Sequence, residues 1–236
     1  SKFPELLEML CGIKGLERLS FTTSHPQDAT EELFQVIARN PKISRRFHLP
    51  LQSGSDRILR LMKRLHTYAE YKAKIERIRA LVPDIAITTD IIAGFSSETA
   101  EDHQATVRAL QEIRFDGAFI YKYSVRPGTP AARLPDDVPP AVKAERHREL
   151  LGTQKSILDA KNRELPGKVF AAFVESARAE NPREQIGRTD HDRRIAFEAA
   201  KDYRGQFVRL EVTGIRHETF RGKLVSSGGS SRVQSR

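Results

Sequence analysis

Three stretches deliver small polar groups to the ends of apolar runs. Gln52-Ser53-Gly54-Ser55-Asp56 follows "RFHLPL", Gly94-Phe95-Ser96-Ser97-Glu98 follows "AITTDIIA" with Asp90 inside it, and Tyr123-Ser124-Val125-Arg126 follows "GAFIYK". A fourth, Thr22 to Pro26, follows "RLSF". An amide such as Gln52 offers two donors and an acceptor, and Gly54 and Gly94 would let a ligand approach the backbone. The chemistry this suits is the seating of a polar ligand. Hydrolysis suits it less, since the carboxylates are scattered and no Ser/His/Asp set stands out. Each residue also has a plainer reading. Ser55 or Asp56 can cap a following helix, Glu98 can favour a helix N-terminus by charge, and Gly94 can serve a turn. His25 and His48 read as structural histidines, because no second His or Cys lies at metal spacing.

The elements that must position these groups alternate. "RLSFTT" (18–23), "RFHLPL" (46–51), "AITTDIIAGF" (86–95) and "GAFIYKYS" (117–124) read as strands. Helical patterns separate them: Leu33, Phe34 and Ile37 share a face, as do Ile58, Leu61 and Met62, then Tyr71, Ile75 and Ile78, then Val107, Leu110 and Ile113. Capping-box spacing marks three helix starts, at Asp28 with Glu31, Thr67 with Glu70 and Thr99 with Asp102. Four such alternations predict a parallel α/β sheet with helical crossovers, open or barrel-like. Ligands of such folds bind beyond the carboxyl ends of the strands, where the polar stretches fall. After the proline-rich "RPGTPAARLPDDVPP", the pattern predicts a helix over 140–162.

From about residue 161 the pattern changes to short strands at 168–176, 193–199, 206–215 and 219–225. These predict a small antiparallel barrel, a shape suited to single-stranded nucleic acid. The expected domains are 1–160 and 161–226, with a low-complexity, disordered tail at 227–236. Charge supports a polyanionic partner. The chain carries +9, and 16 Lys+Arg against 10 Asp+Glu over 161–236 place +6 of it in the last third. A merely solvated basic surface accounts for the same charge equally well. A single cysteine, Cys11, cannot form an internal disulfide and falls short of the three or four thiolates of a zinc site or iron–sulfur cluster. No run approaches the ~18 apolar residues of a membrane span and no secretory pattern opens the chain, so the cytoplasm is the expected compartment.

"FTTSHP", "HLPLQSGSDRILRLMKR", "TTDIIAGFSSETAEDHQAT" and "YKYSVRPGTPAA" together resemble the catalytic domain of the radical S-adenosylmethionine methylthiotransferases. "GKVFAAFVES", "IGRTDHDRRIAFEA" and "FRGKLV" resemble the TRAM domain that closes those enzymes. The likeness runs in order over nearly all of residues 1–225, and "TTSHP" favours the isopentenyladenosine-tRNA branch over the threonylcarbamoyladenosine-tRNA branch. The resemblance implies the last four strands of an incomplete six-stranded (β/α) barrel. It implies S-adenosylmethionine bound by Gln52, Ser53, Asp90, Gly94, Glu98, Tyr123 and Arg126, the run Ile92 to Glu98 falling on the family's IxGxxE segment. It implies the tRNA anticodon loop as partner, held through Arg188, Arg193, Arg194, Arg209, Arg216, Arg221 and Lys223. The implied reaction is radical 2-methylthiolation of N6-isopentenyladenosine beside the anticodon.

Three departures qualify this. "GFSSET" stands where the family reads GFPGET, and "MKRLHT" where it reads MNRxYT, so His66 replaces an aromatic. The CxxxCxxC loop and the amino-terminal domain that hold the family's two four-iron four-sulfur clusters do not occur in these 236 residues. The expectation is therefore a piece of such an enzyme that is inactive alone: an incomplete gene product, a fragment, or a split subunit whose missing half another chain would supply. The alternatives are a non-catalytic RNA-binding module and, more remotely, an unrelated (β/α) enzyme using Gln52 and Glu98. A truncated sheet would also leave an unpaired edge at "RLSFTT" that invites self-association.

Overall fold

The computed structural model describes residues 2–22, 25–216 and 219–225. The tail expected to be disordered, 227–236, lies outside them, as do Thr23 and Ser24. The chain divides into two compact units, Ser1–Asp159 and Ala160–Arg236. None of the helices described is long and apolar enough to cross a membrane.

The first unit is a three-stranded parallel sheet with helices packed on one face. Its order is β1 (Arg46–His48), β2 (Ala86–Ala93), β3 (Gly117–Lys122). The helices are α1 (Lys2–Cys11), α2 (Glu31–Arg39), α3 (Asp56–Leu61), α4 (Tyr68–Leu81), α5 (Ala100–Ile113) and the first part of α6 (Pro140–Arg163). Along β2, Ile87, Thr89, Ile91 and Ala93 are buried while Thr88, Asp90 and Ile92 are only partly so. That alternation separates a helix-covered face from an open one. Capping boxes at Thr67/Glu70 and Thr99/Asp102 start α4 and α5 as the spacing predicts.

Two expectations need correction. Residues 18–23 do not form a strand among the described residues. Leu19 makes one parallel bridge to Ile43, through Leu19 N–H to Lys42 O at 2.8 Å and Ser44 N–H to Leu19 O at 2.8 Å. The described sheet accordingly has three strands rather than four. Helix α2 is capped by Thr30, whose Oγ1 accepts from Leu33 N–H at 3.3 Å, and not by Asp28. Pro26 opens a 3₁₀ turn over Pro26–Asp28 that delays the helix by two residues.

The second unit is a closed five-stranded barrel, β4 (Val169–Ala177), β5 (Glu184–Thr189), β6 (Arg194–Glu198), β8 (Thr219–Leu224), β7 (Phe207–Arg216), closing back on β4. Ala172, Val174, Ile195, Phe197, Val208, Leu210, Val212 and Phe220 fill it. It is not wholly antiparallel: β6 and β8 pair in parallel, because β7 lies between them in sequence and sends the chain back in the direction of β6. Strand β5, "EQIGRT", carries no apolar alternation that periodicity could detect. Its buried Gln185 is instead held by donating to Lys201 O at 2.7 Å and accepting from Tyr203 N–H at 2.8 Å.

Candidate functional site

Beyond β1 the ladder breaks at a proline. Leu49 N–H still bonds Thr88 O at 2.8 Å, Pro50 has no donor, and Leu51 N–H turns to the Thr89 hydroxyl at 2.9 Å. Pairing resumes at Gln52, now opposite Ile91, so the register has slipped by one residue from His48↔Thr88. The extra residue is a bulge. It leaves Gln52 at φ +72°, a left-handed conformation costly for any residue with a Cβ. Gln52 is buried, and its side-chain amide makes no hydrogen bond among the described residues. The backbone of Gln52 is strained, while its amide keeps contact with solvent and so stays open to a ligand.

Its neighbours are held for the fold. Ser53 is fully buried, its hydroxyl 3.3 Å from Thr106 Oγ1 and accepting from Ser55 N–H at 3.1 Å. A Cβ on Gly54 would lie 2.4 Å from the Ala105 carbonyl, so that glycine admits helix α5 and not a ligand. Ser55 caps α3 and donates to Asp102 at 2.5 Å. Asp102 also accepts from Arg57 and from Thr99 N–H. Burial would raise its pKa, but these bonds from Arg57, Ser55 and Thr99 hold it well below the usual carboxylate range.

The loop after β2 is likewise closed on itself. Gly94 has φ +72°, and a Cβ there would sit 2.4 Å from Lys143 Cγ, so the close approach is again internal. Glu98, almost wholly buried, accepts from Gly94 N–H at 2.9 Å and from Arg146 at 2.8 Å. Burial outweighs both bonds and pushes its pKa upward. Ser97 takes φ +56°, the conformation a glycine would adopt, with its N–H on Asp137 at 2.7 Å and its carbonyl accepting from Arg57 at 2.5 Å. Ser96 donates to Pro135 O at 2.6 Å. The serines of "GFSSET" thus keep a tight turn and fasten it.

The open face of the sheet carries the remaining chemistry. His48 Nδ1 lies 2.9 Å from Thr88 Oγ1 and Nε2 lies 3.4 Å from Asp90. Phe119 stacks edge-on to His48 at 6.1 Å and is 50% exposed, and Tyr121 is 55% exposed. Arg64 is half-buried with no ion pair among the described residues, and burial lowers its pKa against the pull of Asp90. Beside it, the His25 and His66 rings are 6.0 Å apart, and both nitrogens of the buried His66 lack partners.

Gln52, Gly94 and Tyr123 share one end of the sheet. Ile92 N–H donates to Gln52 O at 2.9 Å, and Tyr123 N–H donates to Ala93 O at 2.9 Å. The Tyr123 ring packs 4.7 Å from Phe95 and under Lys143 at 5.2 Å. Arg126 stands exposed on the next loop. Of the seven residues anticipated around a cofactor, Ser53 and Glu98 have their polar atoms committed internally. His48, Arg64 and Phe119 join the face without being anticipated. His48 could have been suspected from its place on the strand that ends in Gln52.

In the barrel the basic residues divide. Arg188 pairs with Glu175 at 2.7 Å and Asp192 at 3.0 Å, Arg221 with Glu184, and Lys223 with Glu211 at 3.3 Å. Arg193 bonds Asn162 at 3.2 Å and lies over Phe220. Arg194, Arg209 and Arg216 are exposed and have no ion pair among the described residues.

Residues 1–110 match the family model described as the Radical SAM superfamily. The chain is 44% identical over 221 residues to tRNA-2-methylthio-N(6)-dimethylallyladenosine synthase of Dictyoglomus thermophilum, aligning 94% of itself with 50% of that protein. It is 42% identical over 223 residues to the synthase of the same name from Aeromonas salmonicida, aligning 94% with 47%. The chain spans about half the length of the curated relatives it matches. Among solved structures, coproporphyrinogen III oxidase from Escherichia coli, described as a radical SAM enzyme, superposes with a TM-score of 0.53 at 13% identity, covering 89% of this chain and 50% of that one. This likeness speaks for the fold. Residues 1–110 thus match the radical SAM superfamily, and over nearly its whole length the chain is similar to about half of a tRNA-2-methylthio-N(6)-dimethylallyladenosine synthase.

Proposed function

We propose that this chain is the part of a tRNA methylthiotransferase that seats S-adenosylmethionine and grips the tRNA, in an enzyme that 2-methylthiolates N6-isopentenyladenosine beside the anticodon. The observation that carries this is the identity of 40–44% to synthases so named, over 92–95% of the chain. In this reading the three-stranded sheet is a fragment of the (β/α) barrel and the five-stranded barrel is a TRAM domain. The chain's residues do not suit an iron–sulfur cluster: its one thiol, Cys11, is buried in the apolar core of the first unit. No step through a cluster is assigned to it, and such groups belong to the remaining half of the enzyme, on whichever chain that half resides.

S-adenosylmethionine suits the open sheet face better. The cofactor bears an ammonium, a carboxylate and a sulfonium on an adenosine, and it supplies the radical and the methyl group when bound. Asp90 offers a negative group, Arg64 an uncommitted positive one, Gln52 a free amide, and Phe119 an aromatic surface. Gly94, Glu98 and Tyr123 set the rim around them. The barrel contributes phosphate contacts in a salt-dependent way.

The reading is tested by fusing the chain to the complementary half of the Dictyoglomus synthase and measuring 2-methylthioadenosine in tRNA by mass spectrometry. Product from the fusion, and weaker S-adenosylmethionine binding after Gln52→Ala, are expected. A folded, iron-loaded fusion without product would overturn it, as would turnover by the isolated chain. Product only on threonylcarbamoyladenosine-tRNA would move the substrate to that branch. RNA binding without cofactor binding would favour a non-catalytic module, a reading the unpaired Arg194, Arg209 and Arg216 also suit.

A further inference from the structure

One lateral row of side chains crosses four strands of the barrel. Register places Phe207 opposite Phe173, Phe173 opposite Arg188, and Arg188 opposite Arg194. Directly paired residues share a face, and their alternating neighbours Ala172, Val208 and Ile195 fill the core. The row therefore lies on the outer surface, about 14 Å wide at the usual ~4.8 Å strand spacing. The two phenylalanine rings sit 5.2 Å apart, and Phe207 is 36% exposed. Arg209 is two residues along β7 from Phe207, on the same face and opposite Ala171.

Folding gains little from this arrangement. Like charges placed directly opposite one another destabilise a sheet. Glu175 and Asp192 offset the charge of Arg188, whereas Arg194 and Arg209 are left without a counter-ion among the described residues. An exposed aromatic pair flanked by uncompensated cations is complementary to a ligand with both a π-face and a negative backbone. Single-stranded RNA has both. A base inside a duplex offers no free face, while its phosphates remain available.

The geometry points to Phe173 and Phe207 as a stacking platform for an unpaired RNA base, with Arg194 and Arg209 on the flanking phosphates, so that the barrel selects unpaired over duplex RNA. This rests on the RNA-binding reading above and adds to it the form of RNA that is recognised. The four residues lie on β4, β6 and β7, and the sequence reading named only the arginines.

The test uses the full chain, a short unpaired RNA and a duplex of the same sequence, with binding measured across a salt series. Phe173→Leu/Phe207→Leu is expected to weaken binding of the unpaired RNA about tenfold, near the low end of what one stacked base contributes, without changing the salt slope. Arg194→Gln/Arg209→Gln is expected to lower that slope by about two contacts. The chain has no tryptophan, so Phe207→Trp introduces a single indole, excited selectively over the tyrosines, that unpaired RNA should quench and duplex should not. Should the double leucine variant fail to fold, Phe207→Leu and the fluorescent variant carry the test. Unchanged affinity in the leucine variant, or equal quenching by duplex, overturns the platform while leaving RNA binding intact. No binding of either RNA by the unaltered chain overturns both.

Discussion

The sheet rim of the first unit and the outer face of the barrel are both rich in polar groups, yet they use them differently. Around Gly94 and Gly54, nearly every polar atom is committed to another part of the chain: Glu98 to Arg146 and Gly94, Ser53 to Thr106, Ser55 to Asp102. The side chains of Gln52 and Arg64 stand apart, with no hydrogen bond or ion pair among the described residues. On the barrel, arginines of the same type split into paired ones, such as Arg221, and unpaired ones, such as Arg194 and Arg209. Residue type therefore does not mark function in this molecule. Under the proposed reading, ligand contacts fall where hydrogen-bonding or charge capacity is left over once the fold has been satisfied.

The strongest challenge to that distinction is Glu98→Ala. It strands the mostly buried Arg146 and removes the acceptor for Gly94 N–H, so a loss of about 3–5 kcal/mol is expected from urea midpoints. Glu98→Gln should recover much of this by keeping the Gly94 bond. A loss under ~1 kcal/mol for the alanine variant would mean the rim is not held from within.

Gln52→Gly sharpens the contrast from the other side. Relief of the left-handed strain should raise stability by up to about 1 kcal/mol, after allowing for the greater freedom of glycine in the unfolded chain. Binding of S-adenosylmethionine should weaken at the same time. Loss of stability together with unchanged cofactor binding would place Gln52 among the structural residues.

The smallest effect is expected at His66. Burial, reinforced by His25 and Arg64, holds its pKa below the ordinary histidine value, with Glu70 opposing and Lys74 adding to the shift. The unfolded chain takes up a proton near pH 6.5 that the folded chain resists. Stability should therefore fall as the pH drops below about 6.5. His66→Phe should flatten the dependence of Tm on pH between 7.5 and 5.5, and an equally steep profile in the variant would assign the acid sensitivity elsewhere.

The parts of the fold that were legible in sequence are those with local causes. Thr67 with Glu70 and Thr99 with Asp102 announce their helices because the caps are made within four residues. The strand expected at 18–23 failed because apolar alternation says nothing about whether a partner strand lies alongside. Strand β5 was missed because its buried positions are filled by Glu184, Gln185 and Gly187, whose burial depends on distant partners. At the site, Gln52 could be chosen from the change of pattern at the end of "HLPLQSGS". The bulge that strains it could not, since it depends on which residue of β2 it meets. Glu98 and Ser53 carry the right chemistry for a ligand and also fasten the fold, a role visible only once Arg146 and Thr106 are placed.

Asp102 reaches further than its role as a cap. It holds Ser55 behind the β1 loop, Arg57 and through it Ser97 in the β2 loop, and Thr99 at the head of α5. Both loops are tied to one carboxylate, so moving the segment beside Gln52 without the turn around Ser97 costs at least one of these bonds. One buried carboxylate thereby links two stretches of chain that lie some forty residues apart in sequence.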